Sequence, residues 1–229
     1  MKPVRFALLA LTMAANLSAQ EDAQSLTADC DGGSAAACVS LARYYAQGIG
    51  VSTDIRRAEL LSLRGCDNGA PEGCTQLGRW LLEGLYQNPD EQRAVALFRR
   101  ACDAGDGGGC DQASLAYERG SGVSANIGLA TSYAGRACDD SYAQACFRLG
   151  DRFERGIDVA QDLTRAAGLY QQGCDLAEAN SCVRLARMYE DGRGVAHSVR
   201  LAVAYYRKAC QVGNNAACHL AALKAEGLN

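Results

Sequence analysis

The sequence is poor in histidine and proline and has no excess of basic over acidic residues, and each of these features argues against a class of site or structure. Its 229 residues include only two histidines, His197 and His219, which lack the i, i+4 spacing of a helical zinc pair. Only three prolines occur, and none interrupts a predicted helix. The formal net charge of −3 argues against nucleic-acid binding, because such proteins usually carry a basic patch or stripe. We therefore predict no metal, no cofactor and no nucleic-acid partner.

Long apolar runs are also scarce, and the main one lies near the N-terminus. Lys2 and Arg5 precede an apolar stretch over 6–17, which is too short for a bilayer span of about 20 residues. This pattern predicts a secretory signal peptide over residues 1–19, cleaved after Ala19; a buried N-terminal helix is the alternative. No later segment is apolar enough to cross a membrane. We therefore predict an exported protein, periplasmic or secreted.

Cysteine, in contrast, is abundant, and its spacing reveals a repeat. The twelve cysteines form six pairs eight residues apart, and the pairs recur every 36 residues. The pairs are Cys30 and Cys38, Cys66 and Cys74, Cys102 and Cys110, Cys138 and Cys146, Cys174 and Cys182, and Cys210 and Cys218. A period of this length is typical of solenoid architectures, in which each repeat is one supersecondary unit.

Each repeat predicts two helices, which we call helix A and helix B. Helix A runs from about the second cysteine of a pair to a glycine ten residues later, such as Gly48, which suits a left-handed C-terminal cap. Helix B ends at the first cysteine of the next pair and begins after a residue that can cap its N-terminus. These caps are Asp54, Asp90, Asn126, Asp162 and Ser198.

Small residues recur at two further positions of the repeat. Five residues before each second cysteine, a small residue marks a second break in the chain. These residues are Gly33, Gly69, Gly105, Ser141, Ala177 and Gly213. Within helix A, a small residue stands where we expect helices to approach closely. These residues are Ala42, Gly78, Ser114, Gly150 and Ala186.

The spacing within a cysteine pair leaves two outcomes. Eight residues of unbroken helix span about 12 Å, whereas a disulfide needs α-carbons within about 7 Å. Either the cysteines stay unbonded, or the chain reverses between them. The stretch DAGDGGG between Cys102 and Cys110 favours reversal, which predicts six disulfides that each join helix B to the next helix A. Zinc spacing of the C-x2–4-C type and the redox C-x-x-C motif are missing; a reactive thiol is the alternative.

The segment CVRLARMYEDGRGVAHSVRLAVAYYRKAC at 182–210 resembles the Sel-one-like repeat, as does CVSLARYYAQGIGV at 38–51. The shared pattern is L-A-x-x-Y-x-x-G-x-G-V followed by a capped second helix with A-x-x-Y-Y-x-K-A. The cysteine pairs are similar to those of the secreted cysteine-rich subgroup of that family. The resemblance implies an all-α, right-handed superhelical solenoid of antiparallel helix pairs over 30–229, with about five repeats and capping half repeats. Residues 20–29 are then a frayed lead-in.

The resemblance also implies a function. Repeat proteins of this kind usually bind other proteins through an extended surface, so we predict a monomeric scaffold with a protein or peptide partner. Some members of the cysteine-rich subgroup are described as β-lactamases or penicillin-binding proteins, and weak β-lactam hydrolysis is the alternative. The S-x-x-K motif of serine β-lactamases is missing, because neither Lys208 nor Lys224 follows a serine by three residues. We assign no catalytic residue.

The predicted binding surface lies on helix A. Positions two, five, six and nine after the second cysteine face away from its apolar row, and they carry arginine and aromatic residues, which are enriched at interfaces. The predicted partner-binding residues are Arg43, Tyr44, Arg79, Trp80, Arg152 and Arg187. The alternative is a solvated helix face on which Tyr44 and Trp80 pack between repeats.

Overall fold

The computed structural model of the protein describes residues 18–85 and 88–226. Over these ranges the chain forms twelve α-helices and no β-strand, as the repeat predicts. The predicted signal peptide, residues 1–19, lies almost wholly outside the described residues.

The helices follow the predicted alternation of helix A and helix B. Even-numbered helices are helices A and odd-numbered helices are helices B. In chain order they are α1 (18–31), α2 (Ala35–Gln47), α3 (Ile55–Asp67), α4 (Glu72–Leu82), α5 (Glu91–Asp103), α6 (Gly107–Arg119), α7 (Ile127–Asp139), α8 (Ala143–Arg155), α9 (Leu163–Asp175), α10 (Ala179–Asp191), α11 (Val199–Gln211) and α12 (Asn215–Glu226).

The expected lead-in at 20–29 is helical and belongs to α1. Ala23 is 2% exposed and Cys30 is 1% exposed, and Cys30 forms a disulfide with Cys38 on α2. Gly50, in the loop after α2, lies directly against the backbone of Ala19 and Gln20, of which Gln20 is the first residue of the predicted mature chain. Burial and the disulfide therefore hold this segment as the helix B of an incomplete repeat.

The capping residues set the limits of the helices as predicted. The side chain of each of the five predicted N-caps of helices B accepts a hydrogen bond from the backbone N–H of the residue three positions later in the chain. Gly48 and Gly192 end their helices A in the left-handed conformation, with φ of 71° and 67°. The N-termini of helices B and the C-termini of these two helices A thus satisfy backbone groups that would otherwise lack partners.

The chain reverses between the two cysteines of every pair. The small residue five positions before each second cysteine has a positive φ, even at Ser141 and Ala177, where φ is 64°. The reversal brings paired α-carbons to 4.4–5.2 Å, and all six pairs form disulfides. Each disulfide therefore joins a helix B to the helix A that follows it.

The chain divides into two compact units. Unit 1 comprises residues up to Gln112 with Ser121–Val123, and unit 2 comprises Ala113–Gly120 with the residues from Ser124 onward. In unit 1, α2 packs against α3 and α4. In unit 2, α8 packs against α9 and α10, and α7 contacts α9. Within each unit, helices A therefore lie next to helices A. The right-handed sense of the superhelix stays a prediction.

Glycines inside helices A let aromatic rings lie against the helix backbone. A Cβ atom at Gly78 would lie 2.5 Å from the ring of Phe98, and one at Gly150 would lie 2.8 Å from the ring of Tyr170. Phe98 and Tyr170 are both fully buried. The sequence predicts that the small residues of helix A let helices approach closely. At Gly78 and Gly150, the helix that approaches is helix B of the same repeat.

The fold predicts opposite effects for one substitution made in two neighbouring helices. A methyl group added at Gly135 in α7 would meet open space, whereas one added at Gly150 in α8 would not. Gly135→Ala should raise the free energy of unfolding by about 0.5–1 kcal/mol, the usual advantage of alanine in a helix. Gly150→Ala should lower it by about 1–3 kcal/mol, because Tyr170 must move. Urea unfolding followed by circular dichroism measures both, and equal stability of the two variants would contradict this packing.

Candidate interaction surface

The predicted binding residues of unit 1 lie on one side of α2 and α4. We call the positions two, five, six and nine after the second cysteine the helix A face. Arg43 and Arg79, both at the fifth position, are exposed, and Tyr44 and Trp80, at the sixth, are half-buried. Arg43 Nη2 donates a hydrogen bond to Ser40 Oγ at 3.4 Å. Two exposed guanidinium groups therefore stand next to two partly accessible aromatic rings.

The predicted residues of unit 2 differ from one another in exposure. Arg187, at a fifth position, is exposed. The side chain of Arg152, at a sixth position, is only 11% exposed and forms an ion pair with Glu118 at 2.7 Å. Met188, also at a sixth position, is 2% exposed and belongs to the core. The sixth position is thus more buried than the fifth. The guanidinium group of Arg152 already pairs with Glu118, so it is less accessible to a partner than that of Arg187.

A column of glutamates supports the helix A face in unit 2, and sequence reasoning missed it. Glu118, Glu154 and Glu190 each stand eight residues after a second cysteine. Tyr170 Oη donates to Glu154 Oε2 at 2.8 Å, and Tyr206 donates to Glu190 at 3.0 Å. A tyrosine sixteen residues after a glutamate in two successive repeats was the signal that could have revealed these contacts.

Glu154 is the most buried member of this column, at 6% exposed. Besides Tyr170, it contacts Arg193 at 3.2 Å and Arg184 at 3.5 Å. A buried carboxylate is costly unless it is paired and hydrogen-bonded, and these three donors satisfy that need. Arg184 also pairs with Asp151 at 3.0 Å, so two carboxylates hold its guanidinium group in place on the helix A face.

Burial and hydrogen bonding shift the pKa values of this network. Burial, aided by the hydrogen bond to Glu190, raises the pKa of Tyr206 to about 12. Burial and the bond to Glu154 raise the pKa of Tyr170 further. The hydrogen bond from Lys224, with help from Tyr206, lowers the pKa of Glu190. At neutral pH the tyrosines are therefore neutral donors, and Glu190 is a charged acceptor.

Residues 18–85 and 88–226 contain neither a candidate metal site nor a candidate membrane span. In these ranges no group of three or more histidine, cysteine, aspartate or glutamate side chains is placed to hold a metal ion. Among the described helices, none combines the length and the hydropathy needed to cross a membrane. The helix A face is therefore the candidate site that the sequence and the structure both indicate.

Antiparallel helix pairs with a 36-residue period, each tied to the next by a disulfide, define a helical-repeat protein. Comparison with protein families finds the Sel1 repeat at residues 35–69, 71–106, 111–142, 143–177 and 179–214. The chain belongs to the Sel1 repeat family. A comparison with curated proteins found no match.

Solved structures share the fold. A Sel1 repeat protein from Oxalobacter formigenes is 22% identical, with a TM-score of 0.68 over 91% of this chain and 84% of that one. The protective antigen c5321 of uropathogenic Escherichia coli, which has an SLR fold, is also 22% identical, with a TM-score of 0.67 over 85% of this chain. The match spans only 50% of the length of c5321. Cysteine-rich protein B of Helicobacter pylori is 30% identical over 58% of this chain and 95% of its own, with a TM-score of 0.47.

The lowered pKa of Glu190 predicts a pH-dependent contribution to stability. Because its pKa lies lower in the folded than in the unfolded protein, this contribution is present above the unfolded-state pKa of about 4.3 and is lost as the pH falls through the folded-state pKa. Lys224→Gln, which removes the main cause, should therefore destabilise the protein at pH 7 and have a smaller effect at pH 3.

Urea unfolding of the wild type and of Lys224→Gln at the two pH values measures this difference. Arg207→Gln, at an exposed position on α11, serves as the control and should show little dependence on pH. A Lys224→Gln effect that is as large at pH 3 as at pH 7 would contradict the role of this ion pair.

Proposed function

We propose that the protein is a scaffold that binds a protein partner through the helix A face. The observation that carries this proposal is the set of exposed arginines, Arg43, Arg79 and Arg187, with Tyr44 and Trp80 beside the first two. Arginine, tyrosine and tryptophan supply most of the strong contacts at interfaces. Because helices and disulfides already order the backbone that carries these side chains, binding a partner has to order the side chains but not the backbone.

We further propose that the protein is exported to the periplasm or beyond the cell. Six disulfides and the absence of a free cysteine among the described residues support this proposal, because structural disulfides persist in oxidising compartments. The basic and apolar N-terminal segment supports it as well. No contact among the described residues favours the alternative of β-lactam hydrolysis, and we do not propose it.

Export predicts a processed N-terminus. Protein purified from its native cells should begin at Gln20, because the small residue Ala19 precedes the expected cleavage site. Intact mass measurement and fractionation of the cells check this outcome. A full-length chain found with the cytosolic fraction would contradict export.

The helix A face predicts which substitutions abolish partner capture. A variant with Arg79→Ala, Trp80→Ala and Arg187→Ala should lose the partners that wild-type protein captures by cross-linking in an envelope extract. Its helicity and melting temperature should stay close to those of the wild type. Quantitative mass spectrometry of the captured proteins measures the loss.

The matched control replaces two arginines and one exposed apolar residue on helices B: Arg56→Ala, Leu60→Ala and Arg200→Ala, all at exposed positions. This control should capture the same partners as the wild type. If the first variant is destabilised, the double variant Arg79→Ala, Arg187→Ala takes its place. Undiminished capture by the variants of the helix A face would overturn the proposal.

A further inference from the structure

Unit 2 contains a groove of about 390 Å³ that includes part of its helix A face, at Arg184, Arg187 and Leu220. Its lining comes from α8, α10 and α12. Phe147, Val183 and Leu220 supply apolar surface, and Arg184 and Arg187 supply positive charge. The residues that line it include no aspartate or glutamate, although the whole chain has a net charge of −3. The groove therefore combines an apolar lining with two cationic side chains.

Three of the groove positions carry acidic residues in the preceding repeat but not in the groove itself. The residues one full repeat earlier, 36 positions before Phe147, Arg187 and Asn214, are Asp111, Asp151 and Glu178. Asn214 belongs to the groove lining. The preceding repeat is therefore acidic at three points where the groove is not, whereas the counterpart of Arg184 is also an arginine, Arg148. The lack of acidic lining residues is thus a local feature of α8, α10 and α12.

The cationic side chains of the groove differ in how firmly they are held. Asp151 and Glu154 hold Arg184 at 3.0 Å and 3.5 Å, and its side chain keeps 35% exposure. Arg187 is exposed, one helical turn further along α10. A guanidinium group has five N–H donors. Arg184 uses Nη2 to pair with Asp151 and Nη1 to pair with Glu154, so further N–H donors stay available. Both arginines can therefore offer donors to a ligand.

We propose that this groove binds an extended acidic segment of a partner protein. An apolar side chain of that segment lies against Phe147, Val183 and Leu220, and the carboxylate of a neighbouring aspartate or glutamate pairs with Arg187 and Arg184. This inference rests on the proposed function and names the chemistry of the partner.

Charge and shape favour this occupant over others. Arginine forms bidentate, charge-assisted hydrogen bonds with carboxylates. No aspartate or glutamate lines the groove, but Asp151 and Glu154 already pair with Arg184 from outside the lining. Arg187 is therefore the main cationic group for a ligand, and Arg184 adds its remaining donors. The apolar lining gives a peptide an advantage over a small inorganic anion, because burial of apolar surface adds to the binding free energy. The groove opens to solvent, so a peptide segment can reach its lining from outside.

Fluorescence anisotropy with three labelled peptides tests the proposal on the disulfide-bonded mature protein. The first peptide, acetyl-Asp-Leu-Phe-Asp-amide carrying a dye on a linker, should bind, and its affinity should fall as salt is raised. The second, with asparagine in place of both aspartates, should bind at least about tenfold more weakly, the cost of losing a hydrogen bond to a charged group. Equal binding of these two peptides would overturn the charge requirement.

The third peptide has asparagines and a free C-terminal carboxylate. If it binds and the capped acidic peptide does not, the occupant is a chain end, and the proposal of an internal acidic segment is wrong. If none of the three binds while Arg79→Ala, Arg187→Ala still abolishes partner capture, this inference fails and the proposed function stands.

Variants locate the binding to the groove. Arg187→Glu should weaken binding of the acidic peptide by at least about tenfold, and Leu220→Asn should weaken it through loss of apolar contact. Arg207→Glu makes the same charge change at an exposed position of α11 and should leave affinity within about twofold. Arg187→Gln replaces Arg187→Glu if the reversed charge unfolds the protein. Equal effects of Arg187→Glu and Arg207→Glu would overturn the assignment to this groove.

Discussion

The structure depends on a reversal of the chain that a disulfide closes once in every repeat. A residue in the left-handed conformation turns the backbone between the two cysteines, and the bond then fixes the end of one helix B beside the start of the next helix A. On the chain-entropy account, each closed loop contributes about 2–3 kcal/mol. A repeat protein has no deep central core, because each repeat buries its apolar face only against its neighbours. The disulfides therefore reinforce the contacts on which the repeats depend.

The same constraint positions the candidate interaction surface. Because each helix A starts at a fixed distance from a disulfide, the fifth position after the second cysteine is exposed in four of the six helices A, at Arg43, Arg79, Arg187 and Leu223. In unit 2, hydrogen bonds and ion pairs of Glu154 further fix side chains beside this surface. Glu154 and its partners Tyr170, Arg184 and Arg193 hold the polar side of α8 and α10. In each unit, the surface is thus made of exposed arginine side chains on helices whose starts are fixed by disulfides.

Much of the fold could be predicted from the sequence because its determinants are local and periodic. The caps at Asp54 and its counterparts, the glycines after helices A and the spacing of the cysteines each act over fewer than ten residues, and the 36-residue period shows them repeatedly. The left-handed conformation at Ser141 and Ala177 follows from the position rather than from the residue type. The helix α1 escaped prediction because its burial depends on contacts with the loop after α2.

The candidate site could be predicted only in part. Helical spacing identified the side of helix A that carries arginine and aromatic residues. It could not show that Arg152 pairs with Glu118, or that Met188 is buried, because a long side chain at the sixth position can turn either to solvent or to a neighbouring helix. The contacts of Glu154 join residues 16, 30 and 39 positions away, and their distances depend on how successive repeats pack.

Disulfide mapping of the unreduced mature protein tests the central claim most directly. Cleavage before aspartate cuts five of the six loops between paired cysteines, at Asp31, Asp67, Asp103, Asp139 and Asp175. Mass spectrometry should then find each of these five pairs as two linked peptides, and Cys210 with Cys218 as an internal bond in one peptide. Free thiols, or any cysteine linked to a partner other than the one eight residues away, would contradict the account.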